Sequence, residues 1–105
     1  YKEMLSIFPD DPRALNSYAW RMAEIETNLE DALQKVRKAV VLTADEPDRQ
    51  AGIIDTEAEV LWKLKHHDEA IETIERAISI DPDNQYYQSQ KEKFLESKKS
   101  VSQSA

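Results

Sequence analysis

Apolar residues in this chain recur three and four positions apart, the spacing of helices that bury one face. Leu15, Tyr18, Ala19, Met22 and Ala23 follow Asp11-Pro12, a cap residue with proline in the first turn, and predict a helix from about Pro12 to Glu26. Leu29, Leu33, Val36 and Val40 predict a second helix to about Thr43, opened by Asn28 and Asp31 as a capping pair. Pro47 then starts a third, which carries Ile53, Ile54, Ala58, Leu61 and Leu64. After a tight turn at His66-His67-Asp68, a fourth helix carries Ala70, Ile71, Ile74, Ala77 and Ile78 and stops at Asp81-Pro82-Asp83-Asn84. A fifth, roughly Gln85 to Lys98, is polar apart from Tyr86, Tyr87, Phe94 and Leu95. Residues 100–105 have almost nothing to bury and are expected to form a loose tail. No segment alternates as a strand does, so the expected fold class is all-α.

The helices fall into two similar pairs. Residues 28–40 align without a gap on residues 66–78, and Ala32 to Ala70 and Ala39 to Ala77 are both steps of 38. Upstream, Ala19 lines up with Ala58 at a step of 39. Alanines at these positions let paired helices approach closely, while Leu, Ile and Val fill the space around each contact.

Composition narrows the chemistry. A length of 105 residues fits one small domain. The single glycine excludes a Gly-rich phosphate cradle, and the absence of cysteine excludes thiol catalysis, disulfides and cysteine zinc sites. His66 and His67 are the only histidines; adjacent residues do not share a helix face, so they read as turn residues and no metal site is expected. Asp55 and Glu59, four apart, place two carboxylates together, but acid–base work needs a pocket that a thin two-layer stack does not offer. Neither enzyme activity nor a cofactor is therefore expected. No apolar run approaches the roughly 18 residues of a membrane span, so no membrane partner is expected.

Charge adds a direction. Lys and Arg total 14 against 21 Asp and Glu, a net of -7. Residues 1–44 carry six basic and seven acidic groups, residues 45–84 four and twelve, and residues 85–105 four and two. An acidic middle repels nucleic acid and favours a basic partner. The chain starts at Tyr1 without methionine or a targeting segment, which suggests an excised piece and leaves its compartment unread.

The paired pattern resembles the tetratricopeptide repeat, a helix-turn-helix unit with large, small and aromatic positions on its first helix, alanines on its second and a closing proline. The second repeat matches through Ile54, Ala58, Leu61, Ala70, Ile74, Ala77 and Pro82. The first matches through Leu15, Ala19, Met22, Ala32, Val36 and Ala39, with Ala44 where the proline is expected. The resemblance implies antiparallel helix-turn-helix repeats stacked as a short right-handed solenoid. Residues 1–9 would then be the end of a preceding repeat helix closed by Pro9, 10–44 the first repeat, 45–84 the second, 85–99 a C-terminal capping helix and 100–105 the disordered tail. Pro9 to Ala44 spans 35 residues and Ala44 to Pro82 spans 38, against about 34 for the family. The extra residues near Pro47 predict a lengthened third helix or altered stacking. Glu57 stands where an apolar residue is expected, which predicts a weak contact or an exposed face.

For function, the resemblance implies a non-catalytic protein–protein interaction module whose first helices line a concave groove. Arg13, Asn16, Trp20 and Ala23 would come from the first repeat, and Asp55, Glu59, Trp62 and Lys63 from the second. Arg13 and Asn16 suit the family's clamp for a C-terminal carboxylate, but Asp55 and Glu59 oppose it. The expected ligand is an extended basic or apolar peptide segment, with each tryptophan either a groove or a core residue. Leu15-Asn16-Ser17-Tyr18-Ala19-Trp20 is also similar to repeat tails of bacterial thioredoxin-like proteins. The rival expectation is therefore self-association or intramolecular packing in a larger protein, with a homodimer formed through Tyr1, Leu5 and Phe8 at the exposed end of the stack.

Overall fold

In the computed structural model residues 10–104 are described, with side chains as far as Val101. The expectations placed on residues 1–9 lie outside the described residues, including the homodimer contact through Tyr1, Leu5 and Phe8. Helix α1 (Pro12–Ile25) begins as the sequence predicts: the Asp11 carboxylate accepts a hydrogen bond from the Arg13 backbone N–H at 2.9 Å. Pro12 sits in the first turn, where a missing N–H loses no bond. Then follow α2 (Leu29–Leu42), α3 (Pro47–Lys63), α4 (His67–Ile80) and α5 (Gln85–Ser104). Among the described residues there are five helices and no strand. Each helix packs on its neighbour in sequence, and α1 also packs on α3.

The turns inside the two pairs close alike. Glu26 and Lys65 adopt left-handed backbone, with φ of 53° and 68°. The next N–H in each case reaches back to a carbonyl five residues earlier, Thr27 to Met22 at 3.1 Å and His66 to Leu61 at 2.9 Å. Each helix end thus satisfies its free carbonyls without glycine. The second turn therefore centres on Lys65, and His67 and Asp68 already belong to α4. Asn28 is also not the side-chain cap expected of it: it caps in left-handed backbone with no side-chain cap bond. Asp31 instead accepts from the Tyr18 hydroxyl at 2.6 Å and from Lys35 at 3.2 Å, and the Tyr18 bond ties α2 to α1.

The additional residues near Pro47 lengthen α3 to 17 residues, against 14 in each of α1, α2 and α4. Its first turn leans over the end of α2: the Gln50 side chain donates to the Val40 carbonyl at 2.9 Å, while the buried Thr43 hydroxyl takes the Ala39 carbonyl at 2.9 Å. Helix α5 also runs further than expected, its helical backbone continuing through Ser104. Propagating an existing helix fixes one residue per bond, which is far easier than starting one.

The core lies along the alanines. Ala19, Ala23, Ala32, Ala39, Ala58, Ala70 and Ala77 are all fully buried and are flanked by Leu15, Val36, Ile54, Leu61 and Ile74. A larger side chain at such a contact has nowhere to go. Ala70→Leu is expected to lower stability by roughly 1–3 kcal/mol through overpacking; thermal unfolding checks it, and an unchanged melting temperature would contradict the close helix contact.

Glu57 corrects an expectation. Its side chain is 6% exposed and takes Arg37 Nε of α2 at 3.2 Å on one oxygen and Arg76 Nη1 of α4 at 3.9 Å on the other. The face is neither weak nor open, because two guanidinium groups from flanking helices meet the carboxylate.

Candidate interaction surface

Arg13, Asn16, Trp20 and Ala23 lie three and four positions apart on α1 and so share one face. Their exposures differ. The Arg13 side chain is 80% exposed, Asn16 and Trp20 are half-buried, and Ala23 is fully buried. Asn16 Oδ1 is shielded from solvent and has no hydrogen-bond partner among the described residues. A buried acceptor of this kind loses its water without replacement. A shallow cleft of about 330 Å³ opens beside this row, lined by Asp11, Arg13, Ala14 and Ser17.

The α3 row is covered. Asp55 and Glu59 are 5% and 8% exposed, with Gln90 and Lys93 of α5 reaching across them. The Gln90 side-chain amide donates to Asp55 Oδ1 at 3.1 Å and to Glu59 Oε1 at 3.0 Å. Lys93 binds the same Glu59 oxygen at 2.9 Å and sits 4.3 Å from the Trp62 ring centre. Phe94, fully buried, meets Trp62 with ring centres 5.8 Å apart. Lys63 turns to the end of α1, with its ammonium 3.4 Å from Glu26.

Burial pushes the Asp55 carboxyl up to about 6; the Gln90 bond works against that shift and the Glu59 charge adds to it. Burial first and then the Asp55 and Glu59 charges push the Tyr86 phenol up to about 12. Charging this phenol oxygen beside the carboxylates is costly.

Of the candidate residues, then, Asp55, Glu59 and Trp62 come together and are already engaged by the chain itself. Trp62 is a packing residue against Phe94. Around Trp20 the ring and cation contacts that hold Trp62 have no counterpart among the described residues. Gln90, Lys93 and Phe94 are the residues sequence reasoning missed. A signal was present in Tyr87, Gln90 and Phe94, three and four apart and all buried, but glutamine in the middle hides the stripe.

At the other end of α5, Lys65, His66, His67, Glu69 and Lys98 line an open cleft of about 370 Å³. Lys98 pairs there with Asp68 at 2.6 Å, while His66 Nδ1 lies 3.5 Å from Glu69 and His67 Nε2 lies 3.2 Å from the Ser97 hydroxyl. Among the described residues no three His, Asp or Glu side chains gather as metal ligands, and no helix is long and apolar enough to cross a membrane.

Both helix pairs are closed by a left-handed turn and carry buried alanines seven apart on the second helix. Residues 56–84 match the tetratricopeptide repeat model. The matched segment takes in Glu59 and Trp62, the Lys65 turn, all of α4 and the stop at Asp81 to Asn84. The tetratricopeptide repeat is a protein–protein interaction motif, and the family is generally non-catalytic. Comparison with curated proteins and with solved structures finds no match.

Proposed function

We propose that this chain is a non-catalytic interaction module whose open binding row is on α1, where Arg13, Asn16 and Trp20 take an extended protein segment. Exposed Arg13 and half-buried Trp20 on one face of α1 carry this reading, with the unpartnered Asn16 oxygen between them able to accept a bond once its amide turns outward. Trp20, one helical turn on, offers a ring face to an apolar or cationic side chain, and tryptophan is the residue most enriched at binding hot spots. The acidic character of the chain favours a segment with lysine or arginine between apolar residues. Exposed ion pairs contribute only about 0–1 kcal/mol each, so the ring supplies most of the affinity. On α3 the corresponding row is covered within the chain by Gln90, Lys93 and Phe94, which leaves α1 as the binding row.

A displayed peptide library selected on the intact chain tests the proposal. Basic and apolar segments are expected to be enriched, and Trp20→Ala is expected to weaken their binding tenfold or more, about 1.4 kcal/mol. Enrichment of acidic C-termini, or an unchanged affinity in Trp20→Ala, would overturn it.

A further inference from the structure

We propose that the seat of α5 on α3 is proton-linked, so that α5 is held more tightly at pH 5 than at pH 7.5. The inference stands apart from any partner of the α1 row, since it concerns only groups within the chain.

The arrangement of charges carries it. Asp55 and Glu59 bring two carboxylates into a buried seam, and the seam holds one ammonium, Lys93, which binds Glu59. Gln90 offers one amide nitrogen to both. When both carboxyls are ionised the seam carries a surplus negative charge out of reach of water, and a proton on Asp55 removes it. The other groups around the seam do not supply a counter-charge. From α5 come the Tyr86 and Tyr87 phenols; Asp48 on α3 and Asp81 at the end of α4 add further negative charge near Tyr87. Arg37 of α2 and Arg76 of α4 are committed to Glu57, and Glu26 at the end of α1 faces Lys63.

The direction follows from linkage. Burial holds the Asp55 carboxyl at about 6 against an ordinary 3.8, so the docked state binds more protons than the released one. Its stabilising share is fully present below the ordinary value and is lost as pH rises through about 6. For one such group the docking equilibrium changes about tenfold between pH 7.5 and 5. The other contacts of α5 do not give this response. Lys91 with Glu75 at 3.1 Å is a surface pair, and Lys98 holds the Asp68 carboxyl below its usual range, so that pair survives to lower pH. His67 also touches α5, against the Ser97 hydroxyl at 3.2 Å, and serves as the control contact.

The test is amide hydrogen exchange of α5 in the intact chain, corrected for intrinsic exchange, between pH 7.5 and 5. Protection of residues 85–98 is expected to rise about tenfold on acidification. The Asp55 side-chain carboxyl followed by carbon NMR should titrate with the same midpoint. Asp55→Asn keeps the oxygen that Gln90 donates to and is expected to hold α5 in its protected state at both pH values. His67→Gln is expected to keep the response. A response retained in Asp55→Asn, one lost in His67→Gln, or an Asp55 carboxyl titrating in the ordinary carboxylate range would each overturn the proposal, the last without need of any variant.

Discussion

Phe94→Ala is expected to release α5 from the body of the protein. Phe94 is the fully buried large side chain of that helix, and its ring packs on Trp62. The rest of the α5 seat is mostly polar: Gln90 bonded to two carboxylates, Lys93 to one of them, and Tyr87 at 8% exposure. Removing a buried phenylalanine costs about 3–5 kcal/mol where the structure cannot collapse around the gap. Because α5 ends the described chain, the molecule has an easier escape than global unfolding: the helix lifts off and most of it melts, since an isolated helix of this composition is marginal in water. Far-ultraviolet circular dichroism should lose signal equivalent to much of a 20-residue helix. Trp62 emission should shift to the red as its partner ring and the Lys93 ammonium depart. Cooperative unfolding of the four earlier helices should persist. Unchanged Trp62 emission with full α5 helicity would show that the polar contacts hold the helix unaided.

The elements were legible in the sequence because they rest on local spacing. Ala32 and Ala39 against Ala70 and Ala77 announce two helices of one kind, and all four are buried where the pairs meet. Pro12 and Pro47 mark true helix starts. What escaped depends on partners far along the chain. Asp55 and Glu59 are read from local pattern as an open carboxylate pair, and only Gln90, 35 and 31 positions on, shows them to be covered. Glu57 looks like a flaw in an apolar stripe until Arg37, 20 positions back, turns inward to meet it. The Lys65 turn escapes for a different reason: left-handed backbone is signalled by glycine, and here lysine adopts it, so the sequence points to the histidines instead. The division of the tryptophans is likewise a matter of tertiary neighbours. Trp62 has Phe94 over it, whereas Trp20 lies on the face that the proposed ligand would use.

Glu57→Ala is expected to lower stability by about 2–3 kcal/mol, measured by chemical denaturation near neutral pH. The carboxylate joins three helices: it sits on α3, takes Arg37 of α2 at 3.2 Å and faces Arg76 of α4 at 3.9 Å. Breaking a buried ion pair by removing one partner costs about 3–5 kcal/mol, because the remaining charge stays desolvated. Here the cost is smaller, since the arginine side chains are 49% and 55% exposed and can turn to water. Arg37 also keeps a second carboxylate, Glu69 of α4, at 3.6 Å. Two like charges nevertheless lose the group that held them together across α3, and a gap opens where the side chain was. Glu57→Gln separates the contributions. It keeps the shape and an acceptor oxygen while removing the charge, so a loss of about 1 kcal/mol is expected, between native and alanine. Added salt should change the native value little, because a carboxylate this buried is poorly screened. If Glu57→Ala proved as stable as the native chain, the three-helix ionic contact would contribute nothing, and the alanine contacts alone would have to hold α3 between α2 and α4.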